Sequence, residues 1–486
     1  MLYKRYYKLF ILTIAICFLY LCGASYAAPY SSLTATISNI VNNDSILSAG
    51  KVSVKIKALN GPVIYSKNED LTLVPASNMK VITSVAALDR LGEKYRYKTV
   101  LYGGPINLFN GTLHGPLMLS GTGDPTWTYG FFDNPTEVLE KMADYLKFLG
   151  VTTIEGDIIA DDLAFDRHFI PDGWKNEQEC YTSPVGALAL NSNQVSVRVW
   201  NSRVFVYPSA PEVKVVKNNF KNSCGDMFIN RDSYSDTIFI NGYAGYDYTR
   251  ILPVYNPSLF TISVFKEILE KNGIKVTGQA REASLFESFY KNGMYKWYEN
   301  QSCYLIEIMK QMNKESDNFL AEQLFKTISA NEVGIGTFEG SKKIILDFCA
   351  RAGINTTGVE IYDGSGLSLK DRISAGMLSS FLEYIYNSDF GPDFMNTLAR
   401  AGIDGTLKYR LSGVPLYAKT GTLDGYSSLS GYVKTKAGQW IVFAIILNNG
   451  ACGTGYLKEV ENNIVTAIAG YSEKIDIKKI EDIVVN

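Results

Sequence analysis

Histidine is nearly absent from this chain: 486 residues include only His114 and His168, far apart in sequence and away from any cysteine cluster. A zinc peptidase needs several His, Asp or Glu ligands at short spacing, and a Ser-His-Asp hydrolase needs a histidine beside its serine. Hydrolytic chemistry here must therefore draw its base from another side chain, and no metal or other cofactor is expected. An excess of positive charge is missing too. Forty-seven Lys and Arg stand against 49 Asp and Glu, a net charge of −2, so no basic field gathers DNA or RNA.

Clustered cysteine is also lacking. Of seven, Cys17 and Cys22 lie in the N-terminal apolar stretch, leaving Cys180, Cys224, Cys303, Cys349 and Cys452. An odd number at wide spacing gives neither a disulfide scaffold nor a CxxC metal site. An exported chain can still oxidise one pair, with the pairing open. The apolar stretch 9–21 is short of the roughly 20 residues that span a bilayer. Lys4, Arg5 and Lys8 precede it, and Ser25, Ala27 and Ala28 follow. That is the three-part pattern of a secretory signal peptide over 1–27, with a retained anchor as the lesser reading. The expected location is the periplasm or another extracytoplasmic cell-wall space.

The chain is long enough for two or more domains. Residues 51–66 alternate through Val52, Val54 and Ile56, turn at Asn60-Gly61 and resume as a second apolar run, a hairpin signal. Near the other end YAKTGTLDG, SSLSGYVKTKAG and QWIVFAIILNNG read as three strands joined by Gly-rich turns. Strands at both ends of a chain commonly share one sheet. Between them, segments such as ITSVAALDRLG, DNFLAEQLFKTIS and SAGMLSSFLEYIYNS show helical spacing. Residues 97–295 differ: short β-like runs broken by Gly, Pro, Asn and Asp read as one or two small inserted domains. The chain thus divides into 1–27, 28–96, 97–295, 296–475 and a tail, 476–486. The tail mixes charged and apolar residues; a packed or frayed terminus is favoured over a peripheral membrane contact.

PASNMK places Ser77 and Lys80 one helical turn apart, just after Pro75, where fixed φ is tolerated at a helix start. Alone, the pair reads as an N-cap beside a surface lysine. Two later matches change that. Ser316-Asp317-Asn318 falls at the junction of two expected helices, and Lys419-Thr420-Gly421, followed by Thr422, falls on an expected strand. SxxK, SxN and KTG, in that order and in those contexts, resemble the signature set of the serine penicillin-recognising enzymes. A serine hydroxyl needs a base, and an amine made partly neutral by burial and by a second cation serves without histidine. Lys80, with Lys419 nearby, fits that need. Ser316 can relay a proton and Asn318 can hold a substrate amide. The Lys419 strand can pair with an extended peptide, with Lys419, Thr420 and Thr422 meeting a terminal carboxylate. Backbone N–H groups of Ser77 and Thr422 would stabilise an oxyanion.

The chain resembles the class C low-molecular-mass penicillin-binding proteins, of the penicillin-binding protein 4 type. SGTGDP at 120–125, YTSPVGALALNSN at 181–193, DGSGLS at 363–368 and GIDGTL at 402–407 are also similar to segments of that family. The long segment between Lys80 and Ser316 matches the family's insertion. The resemblance implies an α/β fold, a serine-transpeptidase/β-lactamase-like domain with an antiparallel sheet flanked by helices, interrupted by a β-rich two-part insertion. It implies D-alanyl-D-alanine carboxypeptidase and endopeptidase activity on peptidoglycan peptides, and β-lactams as covalent inhibitors. It also makes Asp161 a candidate contact for the amino group of the stem-peptide side chain. Directly after DGSGLS, where the family often has a basic residue, stand Leu369 and then Lys370. The rival readings are a β-lactamase-like hydrolase and a catalytically weak wall-binding protein.

Overall fold

A computed structural model describes residues 30–473 apart from 108, 176–177, 222–225, 244–246 and 450–452. The signal segment and the tail lie outside the described residues, as do Cys17, Cys22, Cys224 and Cys452.

Six antiparallel strands form the central sheet, in the order Ala399–Arg400, Leu416–Leu423, Tyr426–Lys434, Trp440–Asn448, Lys51–Ala58, Val63–Lys67. The first long strand of the chain therefore pairs with the last, Lys51 opposite Asn448. Because side chains alternate across a strand, Trp440–Asn448 supplies both faces. Val442, Ala444 and Ile446 join one apolar cluster with Leu378, Leu382 and Met79. Ile441, Phe443 and Ile445 join another with Leu33 and Ile37 of helix Ser31–Asn42 and Leu457 and Ile464 of helix Thr454–Gly470. Burial on both sides explains why this strand reads as a continuous apolar run rather than an alternating one.

The expected helices are present as Met79–Leu91, Leu305–Glu315, Asn318–Val333, Phe338–Ala352 and Ala375–Tyr386. Ser31–Asn42 and Thr454–Gly470 were not singled out in the sequence, although the latter buries Leu457, Val460, Ile464 and Ile468 at helical spacing. Between Met79–Leu91 and Leu305–Glu315 the described residues form four further sheets. It leaves along Lys98–Gly103 and returns along Tyr295–Gln301, and these two strands pair antiparallel, a pairing that runs past position 295. Exit and return lie side by side, and Phe165, Val185, Ala187 and Ala189 of the excursion pack into the same apolar cluster as Met79, Leu320 and Phe325. The excursion also holds helices Glu137–Phe148 and Pro257–Lys271, the second entered through an Asn256 N-cap and Pro257. No helix among the described residues is long and apolar enough to cross a membrane.

Candidate active site

Ser77 lies in a short 3₁₀ turn, Ala76–Asn78, that leads straight into helix Met79–Leu91. Ala76, just before it, has φ 48°, a conformation that costs a non-glycine residue about 1–2 kcal/mol and persists only where the surroundings hold it. The holding contacts come from the neighbouring strand Tyr426–Lys434. The Ser428 hydroxyl donates to Pro75 O, the buried Asn78 amide donates to Ser428 Oγ at 2.7 Å, and the Ser430 hydroxyl donates to Asn78 Oδ1. On the other side, Thr83 Oγ1 donates to Gly364 O at 2.7 Å.

Lys80 is fully buried and lies one turn into the helix. Its amine reaches Ser77 Oγ at 3.0 Å, Asn318 Oδ1 at 2.8 Å and the Ser365 carbonyl at 2.9 Å. Burial pushes its pKa down to about 8, while the carboxyls of Glu322, Asp363 and Asp317 pull the other way. Lys419 is equally buried and is held well below the ordinary lysine value, first by desolvation and then by the Lys80 charge. Its amine donates to Ser316 Oγ and to Thr420 O, both at 2.8 Å.

The SxN segment is built by two helix ends. Ser316 ends Leu305–Glu315 in the left-handed region, φ 60°, and Asp317 caps Asn318–Val333 by accepting from Leu320 N at 3.0 Å. This places Asn318 at the first turn, its amide nitrogen on Tyr181 O at 3.2 Å. The KTG strand, Leu416–Leu423, pairs along its length with Tyr426–Lys434, but on its other side only 417 and 418 pair with Ala399–Arg400. From Lys419 to Leu423 no strand among the described residues pairs with that edge, the position an added strand would take. Gly421 is what lets the strand approach the serine: a Cβ there would lie 2.2 Å from Ser428 Oγ and 3.0 Å from Ser77 N. Thr420 is tied to Thr406 of the GIDGTL segment at 2.7 Å, and Thr422 is exposed.

The structure thus brings Ser77, Lys80, Asn318, Ser316, Lys419, Thr420 and Gly421 into one region, with Ser316 bonded to Lys419 rather than to Lys80. Asp161 stands outside this network. Its carboxylate is taken by Ser120, Ser288 and Lys291, and these bonds hold its pKa down against the upward pull of burial. Sequence reasoning missed the support beneath the site. Asp363 of DGSGLS accepts from Gly366 N at 2.6 Å, from Ser368 N at 2.7 Å and from the Trp174 indole at 2.8 Å. Glu322, one turn after Asn318, accepts from Gly364 N and Ser365 N. Its position four residues beyond Asn318 on one helix face is the signal that could have found it.

Gly366 sits where DGSGLS passes the nucleophile turn, with φ 80° and space for a Cβ only 1.8 Å from Ala76 O. Gly366→Ala is expected to cost more than about 4 kcal/mol, since it combines a left-handed backbone with a backbone clash. A thermal melt measures it, and an unchanged midpoint would contradict the packing described here.

An α/β fold with a helix-flanked antiparallel sheet, and a serine whose hydroxyl meets a buried lysine amine, define a serine hydrolase of the penicillin-recognising type. Comparison with known proteins carries the identification further. Residues 33–471 match the D-Ala-D-Ala carboxypeptidase 3 (S13) family, and the chain belongs to it. It is 28% identical over 474 residues to the D-alanyl-D-alanine carboxypeptidase of Actinomadura sp. (strain R39), covering 92% of this chain and 86% of that protein. With the D-alanyl-D-alanine carboxypeptidase DacB of Haemophilus influenzae it shares 26% over 415 residues, 80% of this chain and 84% of the relative. The crystal structure of penicillin binding protein 4 (dacB) from Haemophilus influenzae has the same fold, with a TM-score of 0.76 at 24% identity over 90% of this chain and 99% of that one.

Proposed function

We propose that this serine-type D-Ala-D-Ala carboxypeptidase uses Ser77 as nucleophile and Lys80 as its base. The observation that carries the assignment is the 3.0 Å approach of a fully buried, unusually weakly basic Lys80 amine to Ser77 Oγ. Ser77 Oγ attacks the carbonyl between two D-alanines while its proton passes to Lys80. The Ser77 and Thr422 N–H groups receive the developing oxyanion, at about 3 kcal/mol per donor. The C–N bond then breaks as the leaving amine takes the proton that Lys80 received, and water later hydrolyses the acyl-enzyme. Lys419, Thr420 and Thr422 face the terminal carboxylate, and the open Lys419–Leu423 edge pairs with the peptide.

Stem peptides and cross-links of peptidoglycan are the proposed substrates, with the enzyme exported to the cell-wall space and residues 97–295 forming inserted domains. In this reading β-lactams acylate Ser77. Peptide mapping after exposure to a labelled penicillin should place the mass increase on Ser77, with slow release; rapid release would favour a β-lactamase-like hydrolase. Product masses from monomeric and cross-linked muropeptides measure carboxypeptidase against endopeptidase action.

The pH dependence follows from the Lys80 shift. Only the neutral amine accepts the serine proton, and the folded-state value is about 8 rather than 10.5. At pH 7 about a tenth of the molecules hold that form, against roughly one in three thousand for an ordinary lysine. The rate of acylation by a labelled penicillin is therefore expected to rise about tenfold per pH unit below about pH 8 and to level off above it. A rate flat from pH 6 to 9 would exclude Lys80 as the base.

A further inference from the structure

Beneath Lys80 lies a set of buried carboxyls that the reaction as written does not use: Glu322, Asp363 and Asp371, all with no exposed surface. Glu322 reaches the turn carrying the lysine's acceptor from outside it, on helix Asn318–Val333. Its two oxygens accept separately, Oε2 from Gly364 N at 2.8 Å and Oε1 from Ser365 N at 2.7 Å. The carbonyl of the same Ser365 accepts from Lys80 Nζ, and the neighbouring Gly364 carbonyl accepts from Thr83, three residues after Lys80. The other oxygens of the turn are held independently, Asp363 by Gly366 N, Ser368 N and Trp174, and Asp371 by Tyr362 N at 2.7 Å. Glu322 therefore fixes the position of one of the three Lys80 acceptors from a rigid helix.

We propose that Glu322 is a positioning residue for catalysis: by clamping the 364–365 peptide groups it holds Lys80 against Ser77. The inference rests on the assignment of Lys80 as base. The charged groups around this pair are few. From the turn come Asp363 and Asp371, from the helix start Asp317, from the same helix as Glu322 Lys326, and Lys419 faces Lys80 from the sheet. Burial and Asp363 raise the pKa of Glu322 to about 8, against the pull of its two N–H donors and Lys80 toward the anion. Each N–H bonded carboxylate oxygen is a charge-assisted acceptor that a neutral amide replaces only in part.

Two variants test the clamp. Acylation of Ser77 by a labelled penicillin, measured across pH 5.5–10 with a thermal melt of each protein, reads both. Glu322→Gln turns one donor-facing oxygen into an NH₂ that cannot accept, so its plateau should fall about tenfold while its acid limb stays at the wild-type pH. Glu322→Asp keeps the carboxyl but is too short to span both N–H groups, so its limb should stay at the wild-type pH while the plateau falls. A Glu322→Gln plateau equal to wild type overturns the inference. Should that variant fail to fold, Glu322→Asp decides alone: a reduced plateau supports the clamp, and a wild-type plateau overturns it. Wild-type protein that leaves Ser77 unlabelled would instead refute the underlying assignment of nucleophile and base.

Discussion

Ser77→Ala is expected to lower D-alanine release by at least about 10⁴-fold, the scale on which loss of a nucleophile is felt when the rest of a site survives, and to abolish covalent penicillin labelling. The fold should hold. The backbone turn is fixed by Asn78, Ser428, Ser430 and Gly366 contacts that do not involve the Ser77 hydroxyl, and among the described residues that hydroxyl bonds to Lys80 alone. A melting midpoint close to wild type, together with loss of both activities, is the expected pair of results. Labelling that persists in the variant would move the nucleophile elsewhere.

Lys80→Met should reduce acylation by about 10³-fold, within the range attributed to a positioned general base, and should erase the rise in rate toward pH 8. Its stability effect has the opposite sign from most core substitutions. Because burial depresses the Lys80 value, the unfolded chain binds an extra proton between about pH 8 and 10.5. The cost of burying the ammonium is thus fully present below about pH 8 and fades as pH rises toward 10.5. Methionine has similar length and no charge to desolvate. The variant is expected to melt at or above the wild-type temperature at pH 7, with the gap closing at high pH. A large fall in the melting midpoint would show that the three Lys80 hydrogen bonds outweigh its desolvation. Such a trade between stability and activity is common where a catalytic group is held in an unfavourable setting.

Much of this was legible in the chain. Two histidines turned attention to an amine base, and the ordered SxxK, SxN and KTG segments fell on a helix start, a helix junction and a strand, as their spacing predicts. Other features were not legible. Ser316 was expected to relay protons for Lys80, yet its hydroxyl is bonded by Lys419. Asp161 sits among Ser120, Ser288 and Lys291, outside the Ser77 network. Glu322 belongs to none of the sequence motifs, and its bonds to Gly364 N and Ser365 N exist only in the folded chain.

Sequence alone determined the local elements, because periodicity, capping and turn chemistry act within one or two turns of backbone. The tertiary structure decided which atoms meet and how basic they are. Residues from 77 to 422 come together only when the first strand pairs with the last and the sheet closes over the helices. The weak basicity of Lys80 belongs to that enclosure: it arises from excluded water, which no stretch of sequence contains.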